Sequence, residues 1–159
     1  GNTLKAKGFY SHGKAVGEHL TYYENGDLKY RTQFDSLGNR KKQDYYKVNK
    51  ETNVVTLYTY TFKNNKNQYL RSSNENGQVV FLQDFIKDEI WRYHYWDNGN
   101  LRYKYQMGET GYNGLYYEYK ISGVLWISGQ YENGKKTGLW EWFDKFGNVI
   151  NREYHSSSD

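Results

Sequence analysis

Four histidines, His12, His19, His94 and His155, are the side chains of this 159-residue chain best suited to hold a metal or move a proton near neutral pH. Metal ligation needs donors at short recurrent spacings, and nucleophilic catalysis needs a Ser or Cys set beside a base. The four histidines are scattered, the chain has no cysteine, and no serine has a recognisable His-Asp setting. Two carboxylate pairs, Asp88 with Glu89 in IKDEIW and Glu18 with Glu24, have the types needed for acid-base work. Carboxylates at turns mostly keep a chain soluble, and we read them so. GKKTG, Gly134 to Gly138, shares Gly-Lys with phosphate loops. It lacks the Gly-x-x-x-x-Gly-Lys-Ser/Thr spacing, and no helix follows whose N-terminus could hold phosphate. The expectation is a non-enzyme with no cofactor and no metal.

Rings and cations are the remaining chemistry. Nineteen Tyr, five Trp and seven Phe make the chain 19% aromatic, beside 22 Lys and Arg. The candidate partner-binding set is Tyr23, Lys29, Arg31, Trp96, Arg102, Lys104, Trp140 and Trp142. These residue types are enriched at interface hot spots and pair through cation-π attraction. The net charge of +4 permits an acidic partner without demanding one, because 18 Asp and Glu are spread among the cations.

The length predicts one domain, residues 1–159, with a modest core. Mean hydropathy is −1.08, so burial must come mostly from amphipathic rings. With no proline and no cysteine, stability must come from packing and strand ladders. No run of about 18 apolar residues encodes a transmembrane helix. The start GNTLKAKG has no initiator Met and no apolar signal core, and Gly1 reads as a scar, so a leader or lipid-anchored cysteine upstream stays open.

Repetition organises the rest. Turn glycines Gly77, Gly99, Gly123 and Gly147 are spaced by 22, 24 and 24 residues, and Gly26 lies 51 before Gly77, leaving room for a unit turning near Asn53. Six hairpin units follow, with turns near 26, 53, 77, 99, 123 and 147, and a disordered tail over 155–159. Two after each turn comes an aliphatic residue: Leu28, Val55, Val79, Leu101, Leu125, Val149. Tyr22, Tyr95, Tyr119 and Phe143 stand four before, and Gly17, Gly114 and Gly138 nine before. The octamers YSHGKAVG and YENGKKTG share Tyr-x-x-Gly-Lys-x-x-Gly. Asn-Gly between aromatic and β-branched runs predicts a tight hairpin turn with both central residues at positive φ. Leu28, Tyr30, Thr32 and Phe34, like Leu101, Tyr103, Tyr105 and Met107, alternate with period two. The reading is all-β: one antiparallel meander of stacked hairpins.

GLWEWFDKFGNVI and GEHLTYYENGDLKYRTQFDSLG resemble the variant MORN repeat, roughly Gly-x-Trp-x-x-Tyr-x-x-Asn-Gly-x-Leu followed by Tyr-x-x-Gly-Lys-x-x-Gly. The resemblance covers most of the chain and is weakest from Arg40 to Leu70. It implies an elongated, twisted, single-layer hairpin stack that binds another protein, as in bacterial antitoxins of the YwqK type or exported, lipoprotein-like repeat proteins.

Two registers put the rings on different faces. A three-residue loop with a bulge at glycine sets Tyr22, Tyr95, Tyr119 and Phe143 with the leucines, and Tyr23, Trp96, Trp140 and Trp142 with Lys29, Arg31, Arg102, Lys104 and Arg152. A two-residue turn exchanges the aromatic sets. We favour the bulged register, which separates apolar from charged, with the leucine face as core. Three function classes remain: a protein-binding module, possible as an antitoxin or immunity protein masking a toxin; a binder of nucleic acid or an anionic membrane surface; and a structural surface protein that self-associates through sheet ends. Mixed charge along the strip makes nucleic acid the poorer partner. The compartment is cytoplasmic for an antitoxin, and envelope or extracellular if a signal peptide has been removed.

Overall fold

The structure is a computed structural model that describes residues 5–52, 54–85 and 90–156. Asn53, Asp88, Glu89 and residues 157–159 of the expected tail lie outside the described residues; His155 still belongs to the last strand. Thirteen strands and no helix make up the described chain, and they lie in sequence order as an open antiparallel meander. Residue contacts divide the chain into two units, 1–79 and 80–159. The first holds β1 (Ala6–Ser11), β2 (Lys14–Tyr22), β3 (Leu28–Phe34), β4 (Arg40–Val48), β5 (Val55–Lys63) and β6 (Lys66–Ser73). At the boundary begins β7 (Val79–Asp84). The second unit continues with β8 (Ile90–Tyr95), β9 (Leu101–Gly108), β10 (Gly111–Tyr119), β11 (Leu125–Glu132), β12 (Lys135–Phe143) and β13 (Val149–His155).

The turn glycines make three-residue loops. Gly26 N–H donates to the Tyr23 carbonyl at 3.0 Å and Tyr23 N–H to the Asp27 carbonyl at 2.8 Å, with Gly26 at φ 92°. The same two bonds recur around Gly38, Gly77, Gly99, Gly123 and Gly147. The Asn before Gly26, Gly77 and Gly99 is not left-handed, so the expected pair of positive φ angles is not what these turns use. That geometry sits at the alternate turns instead: His12-Gly13, Asn64-Asn65 and Asn133-Gly134. Gly38 is a turn that the spacing argument passed over, although DSLGN repeats the pattern of DKFGN at Gly147. At both, an Asp caps its own loop: Asp35 Oδ1 accepts from Asn39 N–H at 2.8 Å and Leu37 N–H at 3.0 Å, and Asp144 Oδ1 from Phe146 and Asn148 N–H at 2.8 and 2.9 Å.

A second inserted residue corrects the expected faces. Tyr22 lies opposite Leu28 as foreseen, but Thr21 lies opposite Tyr30, so Lys29 has no opposite. Arg102, Trp126 and Ile150 are skipped in the same way after Gly99, Gly123 and Gly147, and Lys41 after Gly38. One extra residue reverses side-chain parity downstream. Leu28 and Leu101 therefore face away from Tyr30 and Tyr103, although the sequence alternates through them without a break.

The leucine face is consequently not the one core that was expected, because buried residues lie on both faces. The larger connected ring clusters lie on the other side, where rings pack laterally. In the first unit Tyr30, Tyr45 and Tyr58 stack across three strands, with centroids 4.9 and 6.0 Å apart. In the second, Tyr105, Tyr112, Tyr116, Tyr131 and Trp140 form a connected cluster. Tyr105 and Trp140 are 8% and 2% exposed, and they are the buried hydrophobic residues among those described. The leucine-side face of the first unit carries charge instead: Asp44, 5% exposed, accepts from Thr59 Oγ1 at 2.7 Å and pairs with Lys42 at 3.1 Å.

Glycine makes room for the largest ring. Gly129 faces Trp140 across β11 and β12, and a Cβ there would overlap the indole; Gly8 stands in the same relation to His19. In both, the ring N–H reaches the carbonyl of the residue after the glycine: His19 Nε2 to Phe9 at 2.7 Å and Trp140 Nε1 to Gln130 at 3.2 Å. Left-handed Gly17 and Gly138 lie two residues before these rings, at the strand irregularities that bring them inward.

Gly129→Ala must displace the Trp140 ring, so the chain should lose about 1–3 kcal/mol by denaturant unfolding. Gly99→Val meets no atom within 4 Å and should cost roughly 1 kcal/mol or more through its φ of 86° alone. Unchanged stability in both variants would refute the placement of ring and turn. The carboxyl of Asp35 is held down to about 2, first by the Asn39 N–H, against an ordinary 3.8. Its depressed value means its contribution is complete above about pH 4 and disappears as pH falls toward 2. Asp35→Asn should shallow the acid limb of a stability-pH curve between those values, and an unaltered limb would contradict the capped geometry.

Candidate binding site at the turns

At Gly26, Gly38, Gly99 and Gly123 the residues three before and three after the turn glycine meet. Lys29 Nζ lies 5.3 Å from the centre of the Tyr23 ring and 5.5 Å from that of Tyr30. Arg102 repeats the arrangement over Trp96 at 4.2 Å and Tyr103 at 4.8 Å. Its Nε is enclosed with no hydrogen-bond partner, so ring stacking is what holds that edge of the guanidinium. After Gly123 the chemistry is exchanged: Lys120 precedes the turn and sits 5.9 Å over the ring of Trp126, which follows it. At Gly38 the two positions hold an ion pair, Asp35 with Lys41 at 3.4 Å. Each cation-π contact of this exposure is worth about 0.5–1 kcal/mol.

The ring before the turn also reaches the next hairpin. Tyr23 O–H donates to the Tyr46 carbonyl at 2.9 Å and Trp96 Nε1–H to the Tyr119 carbonyl at 3.2 Å, each 23 residues on. Asn98 and Asn100 add bonds to the Ile121 carbonyl at 2.9 and 2.8 Å. Burial, then a hydrogen bond and the charges of Tyr45 and Tyr30, push the Tyr23 phenol up to about 12, so it stays a donor across the physiological range.

Between consecutive turns these bridges leave a groove. In the first unit it measures about 620 Å³ and is lined by Tyr22, Tyr23, Asp27, Lys29, Val48 and Lys50 among others. In the second it measures about 580 Å³, with Trp96, Tyr119, Ile121 and Trp126 as apolar walls and Arg102, Glu118 and Lys120 at polar positions. Ile121 is 58% and Trp126 38% exposed.

The eight residues expected on one strip separate. Tyr23 with Lys29, and Trp96 with Arg102, do meet. Arg31 lies on the opposite face and pairs with Glu18 at 3.4 Å. Lys104, opposite Tyr93 and Tyr117, also lies on that face, over the rings of Trp91 and Tyr117. Arg152 joins it, bound to Glu141 at 2.9 Å. Trp140 is buried and cannot be a contact residue; Trp142 is half-buried beside it. The parity reversal at the skipped residue is the physical reason for this separation. Lys120, Trp126 and Ile121 were missed because they lack the Trp-before, cation-after order; exchange of residue types at fixed positions was the available signal. Among the described residues no three His, Asp or Glu side chains are grouped to hold a metal ion.

No family model and no curated protein matches this chain. A solved structure, a TarM mutant of S. aureus in complex with fondaparinux, alpha-GlcNAc-glycerol and UDP, is similar at 15% identity and a TM-score of 0.31. The match covers 76% of this chain and spans 21% of that one.

Proposed function

We propose that this chain is a non-catalytic protein-binding module of the variant MORN kind, which masks its partner as an antitoxin or immunity protein does. The observation that supports it most is the apolar groove of the second unit, where Trp96, Trp126, Tyr119 and Ile121 stand beside Arg102 and Lys120. Tryptophan, tyrosine and arginine around a concave apolar floor are the composition of protein hot spots. Trp96 is held by its bridge to the Tyr119 carbonyl, so little of its side-chain freedom remains to be lost on binding. The corresponding groove in the first unit keeps the place but is more polar, with Tyr22, Tyr23 and Val48 beside Asp27, Lys29 and Lys50. A structural surface role is the second reading, favoured by the edge strand β13, exposed from Val149 to Tyr154.

The test is capture from a lysate of the source organism on the immobilised full chain, at low and physiological salt, with and without nuclease, beside Trp126→Ala. Trp126 is 38% exposed and lies under Lys120, so the variant's fold is checked by its melting before capture. The expected result is a protein retained at both salts, insensitive to nuclease, reduced at least about tenfold by the substitution, and toxic when expressed alone. Retention abolished by nuclease or by salt would replace this reading with polyanion binding.

A further inference from the structure

The ring face of the second unit contains a further pocket of about 330 Å³, lined by His94, Tyr103, Tyr105, Tyr112, Tyr116 and Glu118, the last of which it shares with the groove at the turns. Its size is at the lower end of ligand sites, which run from about 300 to 1,000 Å³. Strand register builds it in two rows. His94, Tyr103 and Glu118 lie opposite one another across β8, β9 and β10, and Tyr105 lies opposite Tyr116 in the next row. The rings pack as walls: His94 to Tyr105 at 5.6 Å, Tyr105 to Tyr112 at 4.8 Å, Tyr103 to Tyr116 at 6.4 Å between centroids.

The one formally charged group among these six is the Glu118 carboxylate. It accepts from the Tyr116 hydroxyl at 3.2 Å and forms no ion pair among the described residues. The carboxylate is only partly exposed, and the ring faces around it carry the negative end of the aromatic quadrupole. His94 does not compensate it: burial, then the nearby Arg92 and Arg102, lower its basicity and keep the imidazole neutral at pH 7. Arg92 is held by Gln83 Oε1 at 3.0 Å, and Arg102 is stacked on Trp96 and Tyr103.

We infer that this pocket binds a small organic cation of the quaternary-ammonium class, with the head group against the rings and Glu118 as counter-charge. A quaternary head has no N–H to satisfy. That suits walls in which two of the four tyrosine hydroxyls are already engaged, Tyr105 O–H joined to His94 Nε2 at 2.9 Å and Tyr116 O–H to Glu118. A primary ammonium would lose hydration that one carboxylate cannot replace. Arg92, opposite Tyr105, and Arg102, stacked on Tyr103, oppose any cation, so binding is weak, in the millimolar range.

The full chain would be titrated with tetramethylammonium and with choline by calorimetry, beside 3,3-dimethylbutan-1-ol, the neutral carbon isostere of choline. Both cations should saturate, with the isostere at least about tenfold weaker, and Glu118→Gln should weaken choline by a similar factor. Tyr112→Ala, at a residue 39% exposed, should weaken it about two- to thirtyfold and serves if the Glu118 variant does not fold. Equal binding of the isostere, absence of saturation into the tens of millimolar, or indifference to folded variants of both residues would each overturn the site.

Discussion

A residue with no opposite, placed three positions after a left-handed glycine, decides which side of the sheet the following side chains occupy. Strand alternation has a period of two, so a single insertion exchanges faces completely. Lys29, Arg102, Trp126 and Ile150 occupy that position. Without it Leu28 and Tyr30 would share a face, and neither the Tyr30–Tyr45–Tyr58 stack nor the cluster around Trp140 could form. The same insertion leaves the skipped side chain free of a cross-strand neighbour. At Lys29, Arg102 and Trp126 it meets the residue that opens the turn, which is how the cation-π pairs arise.

Within each unit, burial must be achieved side by side. Tyrosine suits this because its ring packs edge and face against neighbours while the hydroxyl stays hydrated or finds an acceptor. A Trp as large as Trp140 becomes buried only where the facing residue is Gly129 and where left-handed Gly138 lets β12 bend toward it. The protein thus gains burial by removing side chains from one strand to admit a larger one from the next. Several of its best-buried positions are accordingly polar, such as Thr32, Asp44 and Ser72, flanked closely by ring neighbours or cross-strand partners.

The strand order and the three-residue loops were legible in the sequence, because turn glycines and the aliphatic residues after them repeat at fixed spacing. Gly38 was legible too, through DSLGN and DKFGN, but a search by distance between glycines skips a turn that falls half a period out of step. The assignment of faces was not legible. Leu28-Lys29-Tyr30 reads as uninterrupted alternation, and nothing in residue type distinguishes a lysine that pairs from one that is skipped. Of the expected strip, Tyr23 with Lys29 and Trp96 with Arg102 were found for that reason only at the turns themselves. Beyond the turn, parity failed for Arg31 and Lys104. Trp140 was expected outside because its burial depends on Gly129, eleven residues earlier and on another strand.

The exchange of Trp96 and Arg102 for Lys120 and Trp126 says something about how such a surface can vary. Contact between the positions depends on their being a ring and a cation, not on which comes first. A lineage can therefore pass from one order to the other, or to an ion pair as at Asp35 and Lys41, while the loop keeps its shape. The pair acts as a two-letter alphabet written onto an invariant frame, and successive turns along a unit can present different letters to the solvent without any change in the backbone beneath.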